Sequence, residues 1–130
     1  MNLVRLFSRA HVALLGLGIG RRFRGNRVVV LTTRGRRSGK LRRTPLLAYE
    51  DGEQLVLVAS FGGSPTHPHW FGNLTAEPGV EIDGRPFTAR VATDEERDRL
   101  WPRVVERYPG YAGYQAKTSR KIPLVMLDPR

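Results

Sequence analysis

Two Asp-Gly pairs, at residues 51–52 and 83–84, restrict the architecture of this chain more than any other feature. Each pair lies between apolar segments of strand-like composition, and Asp-Gly in that setting is a strong signal for a tight β-hairpin. After the second pair, Phe87, Ala89 and Val91 alternate with polar residues, which predicts a strand with one buried face. The sequence therefore predicts a mainly β, antiparallel architecture.

The other β-branched and apolar runs extend this pattern to about six strands. The predicted strands cover residues 27–33, 42–49, 54–60, 80–82, 86–92 and 122–127. A length of 130 residues suits a single domain with one core. We predict an α+β fold in which a small, mostly antiparallel β-barrel carries short helices.

Two helices are predicted in the second half of the chain. One begins near Pro68, which suits a first helical position, and stops by Pro78. The other begins at a capping box formed by residues 93–96. Pro102 should kink or split this second helix, and Pro109 should end it.

Positive charge is concentrated at the start of the chain. The net charge of +10 comes from 22 Lys and Arg against 12 Asp and Glu, and residues 1–50 hold 12 of the basic residues but a single acid. Nineteen of the basic residues are Arg, whose planar guanidinium suits bidentate binding of phosphate and carboxylate groups. An anionic partner is predicted: nucleic acid, anionic lipid, or a phosphate- and carboxylate-rich small molecule.

Residues 1–24 are predicted to form an amphipathic helical extension ahead of a domain at residues 25–130. The apolar run at residues 12–19 is shorter than the roughly 20 residues that span a bilayer. As a helix, the segment has an apolar face from which Arg5 and Arg9 point away. Two interpretations stay open: the helix packs on the domain, or it contacts a membrane surface.

A glycine-punctuated basic turn at residues 34–40 has the chemistry of an anion site. Its glycines expose backbone N–H groups, and Ser38 adds a hydroxyl donor. Charge is added by Arg36, Arg37, Arg42 and Arg43. The turn does not match a nucleotide phosphate loop. Three residues instead of four separate its first glycine from the Gly-Lys pair, and Leu41 follows that pair where Ser or Thr is required. A solvated basic hairpin is the alternative.

Residue types exclude several other chemistries. The chain has no cysteine, so a thiolate nucleophile and Cys-ligated metals are ruled out. His67 and His69 flank Pro68 without an acid nearby in sequence, and no metal site is predicted there. The acids cluster on one helix, and no Ser-His-Asp order appears, so hydrolysis is not supported.

Three tyrosines recur at every third position near the C-terminus. Tyr108, Tyr111 and Tyr114 are interspersed with Gly and Pro, which is unusual for a core helix. This pattern indicates a mobile aromatic segment that closes over a planar ligand. Packing of these rings in the core is the alternative.

Several motifs, in order along the chain, resemble the deazaflavin-dependent nitroreductase family. They are Leu31-Thr32-Thr33-x-Gly35-Arg36-Arg37-Ser38-Gly39, Thr44-Pro45-Leu46, Ala59-Ser60-x-Gly62-Gly63, Pro68-x-Trp70-x-x-Asn73-Leu74, Tyr108-Pro109-x-Tyr111-x-x-Tyr114 and Ile122-Pro123. The resemblance runs from about residue 27 to the C-terminus. It implies a split β-barrel like that of FMN-binding proteins and the cofactor F420, a deazaflavin with a phosphodiester and an oligoglutamate tail.

The resemblance also implies site residues. The implied cofactor-binding residues are Arg36, Arg37, Ser38, Arg42, Arg43, Thr44, Pro45, Leu46, Val58, Ala59, Ser60, His69, Trp70, Phe71, Asn73 and Tyr111. The first three would hold the phosphate, and the wall around Trp70 would complete the ring site. The implied catalytic residues are Ser60, as a hydrogen-bond donor near the ring or the acceptor, and Tyr108, Tyr111 and Tyr114, with a tyrosine as proton source. No metal is implied.

The function implied is an F420H2-dependent reductase that transfers a hydride to a quinone-like, nitro or enone acceptor. Leu47 and Gly72 stand where the family has larger residues, which implies a wider pocket. Phe61 stands where some relatives have a basic residue, which implies that one contact with the cofactor tail is missing and that Arg43 replaces it. Lipid-soluble quinones would suit a cytoplasmic enzyme that touches the inner membrane face through residues 1–22.

Two alternatives stay open. One is an FMN- or haem-binding relative on the same barrel, since barrel type does not fix the cofactor, and FMN is the second choice. The other is a non-catalytic module that binds anionic lipid or nucleic acid. The F420 interpretation expects no nucleic-acid partner, and it leaves monomer and homodimer equally open.

Overall fold

The computed structural model of the protein describes residues 22–23 and 26–130. Seven strands fall within these residues. They are β1 (Arg22–Phe23), β2 (Asn26–Arg34), β3 (Leu41–Asp51), β4 (Gln54–Val58), β5 (Gly79–Ile82), β6 (Arg85–Val91) and β7 (Leu124–Pro129). The predicted helical extension over residues 1–24 is wrong at residues 22 and 23, which form β1 and pair with β2. The rest of the predicted helix and its boundary at residue 24 lie outside the described residues.

The strands form one antiparallel sheet in the order β1-β2-β3-β4-β7-β6-β5. The sheet closes on itself because β5 also pairs with β2, with Leu31 opposite Ile82 and Thr32 opposite Glu81. Six of the strands have four or more residues, and β1 has two. The predicted α+β split β-barrel of about six antiparallel strands is confirmed.

Both Asp-Gly pairs make the predicted hairpins. The first joins β3 to β4, with Asp51 opposite Gln54. In the second, Asp83 and Gly84 both have positive φ, 51° and 82°, as a type I′ turn requires. Asp83 also bonds to the next strand of the barrel: its amide donates to the Val30 carbonyl (3.0 Å) and its Oδ1 accepts from the Val30 amide (2.8 Å). The turn thus helps to close the barrel.

In the part of the chain that the structure describes, three helices cover the barrel: α1 (His69–Ala76), α2 (Asp94–Arg107) and α3 (Gly110–Ala116). The predicted capping box at the start of α2 is confirmed. Pro102 lies inside α2, which is continuous, so of the two predicted effects the split is wrong and the kink stays a prediction. Leu100 and Val104, which flank Pro102, are 0 % and 1 % exposed, and their burial holds both halves of the helix against the barrel.

Among residues 26–130, two clusters of buried side chains make up the core. The inner cluster fills the barrel and includes Leu31, Leu57 and Leu127. The outer cluster lies between the β4–β7 pair and the helices α2 and α3, and includes Val56, Val104 and Met126 among others. Because the side chains of β4 and β7 alternate between the two faces, one strand pair serves both clusters.

Most strand ends differ from the sequence prediction by one or two residues, and two of these differences bear on the candidate site. The strand predicted to reach residue 60 ends at Val58, since Ser60 has helical φ and ψ and begins a 3₁₀ turn at Phe61–Gly63. The last strand begins at Leu124 instead of Ile122. In both places the backbone leaves the sheet to form a loop described below.

Candidate functional site: a basic recess and a clamped loop

The glycines of the turn between β2 and β3 do not expose their amides as predicted, because both amides donate within the turn. The Gly35 amide donates to the Lys40 carbonyl (2.7 Å) and the Gly39 amide donates to the Gly35 carbonyl (2.8 Å), so backbone bonds close the turn. Ser38 Oγ accepts a hydrogen bond from the Lys40 amide (3.2 Å). Because that bond uses an acceptor lone pair, the hydroxyl hydrogen of Ser38 is left to donate to a ligand.

A cavity of about 670 Å³ lies beside this turn, and we call it the basic recess. It is lined by Gly35, Arg36, Arg37, Ser38, Leu41, Arg42, Arg43, Thr44, His69, Trp70 and Asn73. The four arginines are exposed, and no Asp or Glu is among these lining residues. The recess therefore carries concentrated positive charge that an anion can neutralise.

Arg36 is held in place by the start of α1. Its Nη1 donates to Asn73 Oδ1 (2.8 Å) and to the His69 carbonyl (3.1 Å), and its amide also donates to Asn73 Oδ1 (3.2 Å). Asn73 is 5 % exposed, and its Nδ2 donates to Thr33 Oγ1 (3.5 Å). The buried amide thus ties the turn, the helix and β2 together.

Gly72 makes the position of Arg36 possible. A Cβ atom at residue 72 would lie 2.8 Å from Cζ of Arg36, so the guanidinium occupies the space of the missing side chain. The pocket predicted to be wider at Gly72 is therefore filled by Arg36. Leu47, the other departure, is buried and does not line the recess.

Trp70 forms the apolar wall of the recess. It lies on the buried face of α1 with Asn73 and Leu74, as the i, i+3, i+4 spacing requires. Its side chain is 7 % exposed and belongs to the inner core cluster, so the indole is rigidly placed. An aromatic wall beside clustered arginines can bind a ligand that joins a flat ring to an anionic tail.

Nine of the sixteen predicted cofactor residues line the basic recess, and the other seven lie elsewhere. Those seven are Pro45, Leu46, Val58, Ala59, Ser60, Phe71 and Tyr111. Leu46 and Ala59 belong to the inner core cluster, and Phe71 packs against it. Val58 and Tyr111 belong to the outer cluster. The cofactor roles of all sixteen residues stay predictions.

The loop at residues 59–64, which we call the Ser60 loop, is unusual in its backbone. Phe61, Gly62 and Gly63 have φ values of 47°, 64° and 82°, so three consecutive residues adopt the left-handed region. Gly63 also approaches α3 closely, because a Cβ there would lie 2.7 Å from the Tyr114 carbonyl oxygen. Ser60 is 2 % exposed at the start of this turn. The loop and α3 therefore form one packed unit.

Arg120, which the sequence analysis did not identify, binds the Ser60 loop. Its Nε donates to the Ser64 carbonyl (2.9 Å), Nη1 to the Ala59 carbonyl (3.2 Å) and Nη2 to the Ser60 carbonyl (2.7 Å). Partial burial lowers the pKa of Arg120, although a guanidinium stays charged at any physiological pH. No sequence signal distinguishes Arg120 from the surface arginines, because its partners are backbone carbonyls about 60 residues away.

His67 is the fourth partner of Arg120. Nη1 of Arg120 lies 3.0 Å from His67 Nδ1, and since a guanidinium only donates, Nδ1 must accept and the ring proton sits on Nε2. Burial and then the charge of Arg120 lower the pKa of His67, which keeps the ring neutral. The ring also contacts Phe71, with centroids 4.7 Å apart. His67 thereby connects the Ser60 loop to α1.

The three tyrosines pack together in and beside α3. The rings of Tyr108 and Tyr111 stack with centroids 4.8 Å apart, and Tyr111 meets Tyr114 edge-on at 6.2 Å. Tyr111 is 8 % exposed, and burial raises its pKa. Burial, followed by a hydrogen bond with Tyr108, raises the pKa of Tyr114 to about 12. All three lie in or against the outer core cluster, as the alternative of core packing expects, and Gly110–Ala116 is helical. Closure of this segment over a planar ligand stays a prediction.

A split β-barrel with a basic, Trp-walled recess has the fold and chemistry of the flavin- and deazaflavin-dependent split-barrel oxidoreductases. A family model described as F420H(2)-dependent quinone reductase matches residues 3–129. The chain belongs to this family. The predicted family, oxidoreductase class and cofactor, coenzyme F420, are thereby confirmed.

Individual proteins agree with the family match. The chain is 39 % identical over 109 residues to an F420H(2)-dependent quinone reductase of Mycobacterium tuberculosis, a match that covers 78 % of this chain and 73 % of the relative. A solved structure of an F420-H2 dependent reductase is 42 % identical, with 78 % and 93 % of the two chains covered and a TM-score of 0.70. A second, described as a domain-swapped dimer, is 34 % identical, with 98 % and 100 % covered and a TM-score of 0.72.

Proposed function

We propose that this protein transfers a hydride from reduced F420 to a quinone-type acceptor and that the basic recess holds the anionic tail of the cofactor. The observation that carries the proposal is the recess itself, in which four exposed arginines and Ser38 face a rigid Trp70 and no acid. The family description and the name of the Mycobacterium tuberculosis relative support the quinone as acceptor.

The residues of the recess fit the cofactor. The phosphodiester and the carboxylates of the oligoglutamate tail are acceptors only, and guanidinium groups are donors only, so the hydrogen bonds between them are charge-assisted. Arg36 and Arg37 with Ser38 would bind the phosphate, while Arg42 and Arg43 would bind the glutamates. Each charge-assisted bond is worth roughly 1.5–3 kcal/mol.

The chain's own task in catalysis is placement. Reduced F420 supplies the hydride when it is bound, and a proton completes the reduction of a quinone to a quinol. The protein must fix the ring against the acceptor, and the rigid Trp70 wall and the Ser60 loop are suited to that role. Tyr108 and Tyr114 would border the acceptor. With a pKa of about 12, Tyr114 would stay protonated at neutral pH and act as a hydrogen-bond donor.

The binding test is a fluorescence titration of the full chain with oxidised F420 and, separately, with FMN. Replacing both Arg36 and Arg37 with Ala should weaken F420 binding at least tenfold, which corresponds to about 1.4 kcal/mol. Arg85 and Arg103 are exposed arginines on β6 and α2, and the matched control replaces both with Ala. Unchanged F420 affinity in the recess variant, or saturable FMN binding in place of F420, would refute the assignment.

We further infer that residues 1–22 bring the enzyme to an anionic membrane surface, where lipid-soluble quinones are found. The inference rests on the amphipathic pattern and the four arginines at residues 5, 9, 21 and 22. Within residues 22–23 and 26–130, no helix is long and apolar enough to cross a bilayer.

Co-sedimentation of the full chain with anionic vesicles tests this inference. Replacing the four arginines with Gln should abolish sedimentation at low salt, while Arg99→Gln with Arg103→Gln on α2 should leave it unchanged. If the first variant sediments like the unmodified chain, residues 1–22 are not the membrane contact.

A further inference from the structure

The conformation of the Ser60 loop needs support from outside the loop. Three consecutive residues, 61–63, have positive φ, and the first of them is Phe61, a non-glycine residue for which this region is unfavourable. The loop's own hydrogen bonds are few: the Gly63 amide donates to the Ser60 carbonyl (2.9 Å) and the Ser64 amide to the Phe61 carbonyl (3.1 Å). Such a backbone persists only where the surroundings determine it.

Arg120 supplies that support through three carbonyls. Its guanidinium reaches Ala59, Ser60 and Ser64, which are the two ends of the loop. The fork geometry matters because three separate N–H groups point at three separate acceptors at 2.7–3.2 Å. A lysine ammonium at the same position is a point charge on a flexible stem and cannot span both ends of the loop at once.

The backbone that carries Arg120 is itself fixed to α3. Gln115 Nε2 donates to the Arg120 carbonyl (2.7 Å), and Gln115 Oε1 accepts from the Ile122 amide (2.9 Å). Arg97 Nη2 of α2 donates to the same oxygen (3.2 Å). The clamp is therefore anchored to the helix that carries Tyr111 and Tyr114.

Arg120 is also linked, through His67, to the helix α1 that carries Trp70 of the basic recess. His67 accepts from its Nη1, and the His67 ring lies against Phe71 of α1, one residue after Trp70. Arg120 is thus a junction between the Ser60 loop with α3 on one side and the Trp70 wall of the basic recess on the other.

We propose that Arg120 is a positioning residue for hydride transfer: it touches neither the cofactor tail nor the acceptor, and it sets where Ser60 and the tyrosine helix stand relative to the ring held at Trp70. This proposal rests on the proposed function. It assigns the binding energy of the tail to the recess and the geometry of the reacting groups to Arg120.

The test compares Arg120→Gln and Arg120→Lys with the unmodified chain in F420H2-dependent quinone reduction. Because small displacements of reacting groups cost roughly 10- to 100-fold in rate, kcat should fall by that amount in both variants. The Kd for oxidised F420, measured by fluorescence, should stay within about twofold because the recess is intact. The matched control is Arg90→Gln, which removes an ion pair on β6 far along the chain from the loop and should leave kcat unchanged.

Hydrogen exchange provides a readout that does not depend on turnover. The amides of Gly63 and Ser64 should exchange faster in both Arg120 variants, while the amides of the β2–β3 turn keep their protection. This measurement separates the two proposals: if the unmodified chain neither binds F420 nor reduces quinones, the proposed function fails while the clamp can still be seen in exchange.

Four outcomes would overturn the role of Arg120. They are a kcat in Arg120→Gln equal to that of the unmodified chain, full recovery of kcat in Arg120→Lys, a loss of F420 affinity as large as the loss of kcat, and unchanged exchange at Gly63 and Ser64. Full recovery by lysine would mean that charge alone is needed. A parallel loss of affinity would mean that Arg120 only supports the fold.

Discussion

The two halves of the candidate site are built in opposite ways. In the basic recess the functional groups are exposed arginines on a self-closed turn, and among them Arg36 has fixed side-chain partners on α1. In the Ser60 loop and α3, the side chains of Ser60 and Tyr111 are buried, and the Tyr111 ring is stacked on Tyr108. The backbone of residues 61–63 is left-handed. The recess can therefore change its ligand contacts without changing the fold, whereas the loop half cannot. We therefore expect substitutions in the recess to change the affinity for F420, and substitutions in the loop half to change the free energy of unfolding.

The largest expected effect lies in the buried half. Replacing Tyr111 with Ala removes an 8 % exposed ring from the outer core cluster and should lower the free energy of unfolding by about 3–5 kcal/mol. Urea denaturation measures the loss. Tyr111→Phe keeps the ring and serves as the control, with a loss of under about 1.5 kcal/mol. If Tyr111→Ala were as stable as the unmodified chain, the description of α3 as a packed element would be wrong.

The converse effect is expected in the recess. Arg37 is exposed, and Arg37→Ala should change the free energy of unfolding by less than about 0.5 kcal/mol. The same change should raise the Kd for F420 roughly tenfold, or about 1.4 kcal/mol, since one charge-assisted contact is lost. Titration by fluorescence and urea denaturation of one preparation give both numbers. A variant that lost stability and kept affinity would reverse the comparison.

The capping box at the start of α2 lies outside both halves of the site and gives a reference value for changes in the free energy of unfolding. Glu96 bonds to Arg90 and to the Thr93 amide, and these contacts lower its pKa from 4.5 to about 2. Because the folded-state value is the lower one, its stabilisation is present above pH about 4.5 and is lost as the pH falls towards 2.

Glu96→Gln should therefore cost about 1 kcal/mol at pH 7 and progressively less as the pH falls from 4.5 towards 2, as measured by urea denaturation at pH 7 and at several values in that range. A cost that did not diminish at the lower pH would show that charge is not the cause. Turnover by this variant should match that of the unmodified chain.

The smallest effect gives the sharpest separation of the two halves. Gly72→Ala places a Cβ where the Arg36 guanidinium lies, so Arg36 must leave Asn73, and the Kd for F420 should rise roughly threefold. The displaced group is the end of a flexible side chain, and Ala favours a helix over Gly by about 0.5–1 kcal/mol. Stability in urea should therefore hold or increase. A fall in stability with unchanged Kd would mean that the Gly72 contact belongs to the fold alone.

Local patterns in the sequence predicted most of the fold. The Asp-Gly turns and the capping box at Thr93 are short-range features whose geometry depends on neighbouring residues, and both appear in the structure where they were expected. The strand pattern predicted a small antiparallel barrel, and the motif resemblance predicted its split form and the family. Local reasoning left a kink and a split open at Pro102, and α2 is not split because the burial of Leu100 and Val104 outweighs the hydrogen bond that proline removes.

The amino-acid sequence by itself determined the concentration of charge in the first 50 residues, the donor-rich turn, the two hairpins and the resemblance to a deazaflavin enzyme. Only the tertiary structure decided that Gly72 makes room for Arg36, that Asn73 holds it, and that Arg120 binds both ends of the Ser60 loop. The physical reason is the separation along the chain between the interacting residues. Turns and caps are fixed by residues a few positions apart, whereas a guanidinium that bonds to carbonyls about 60 residues away leaves no pattern along the chain until the barrel brings them together.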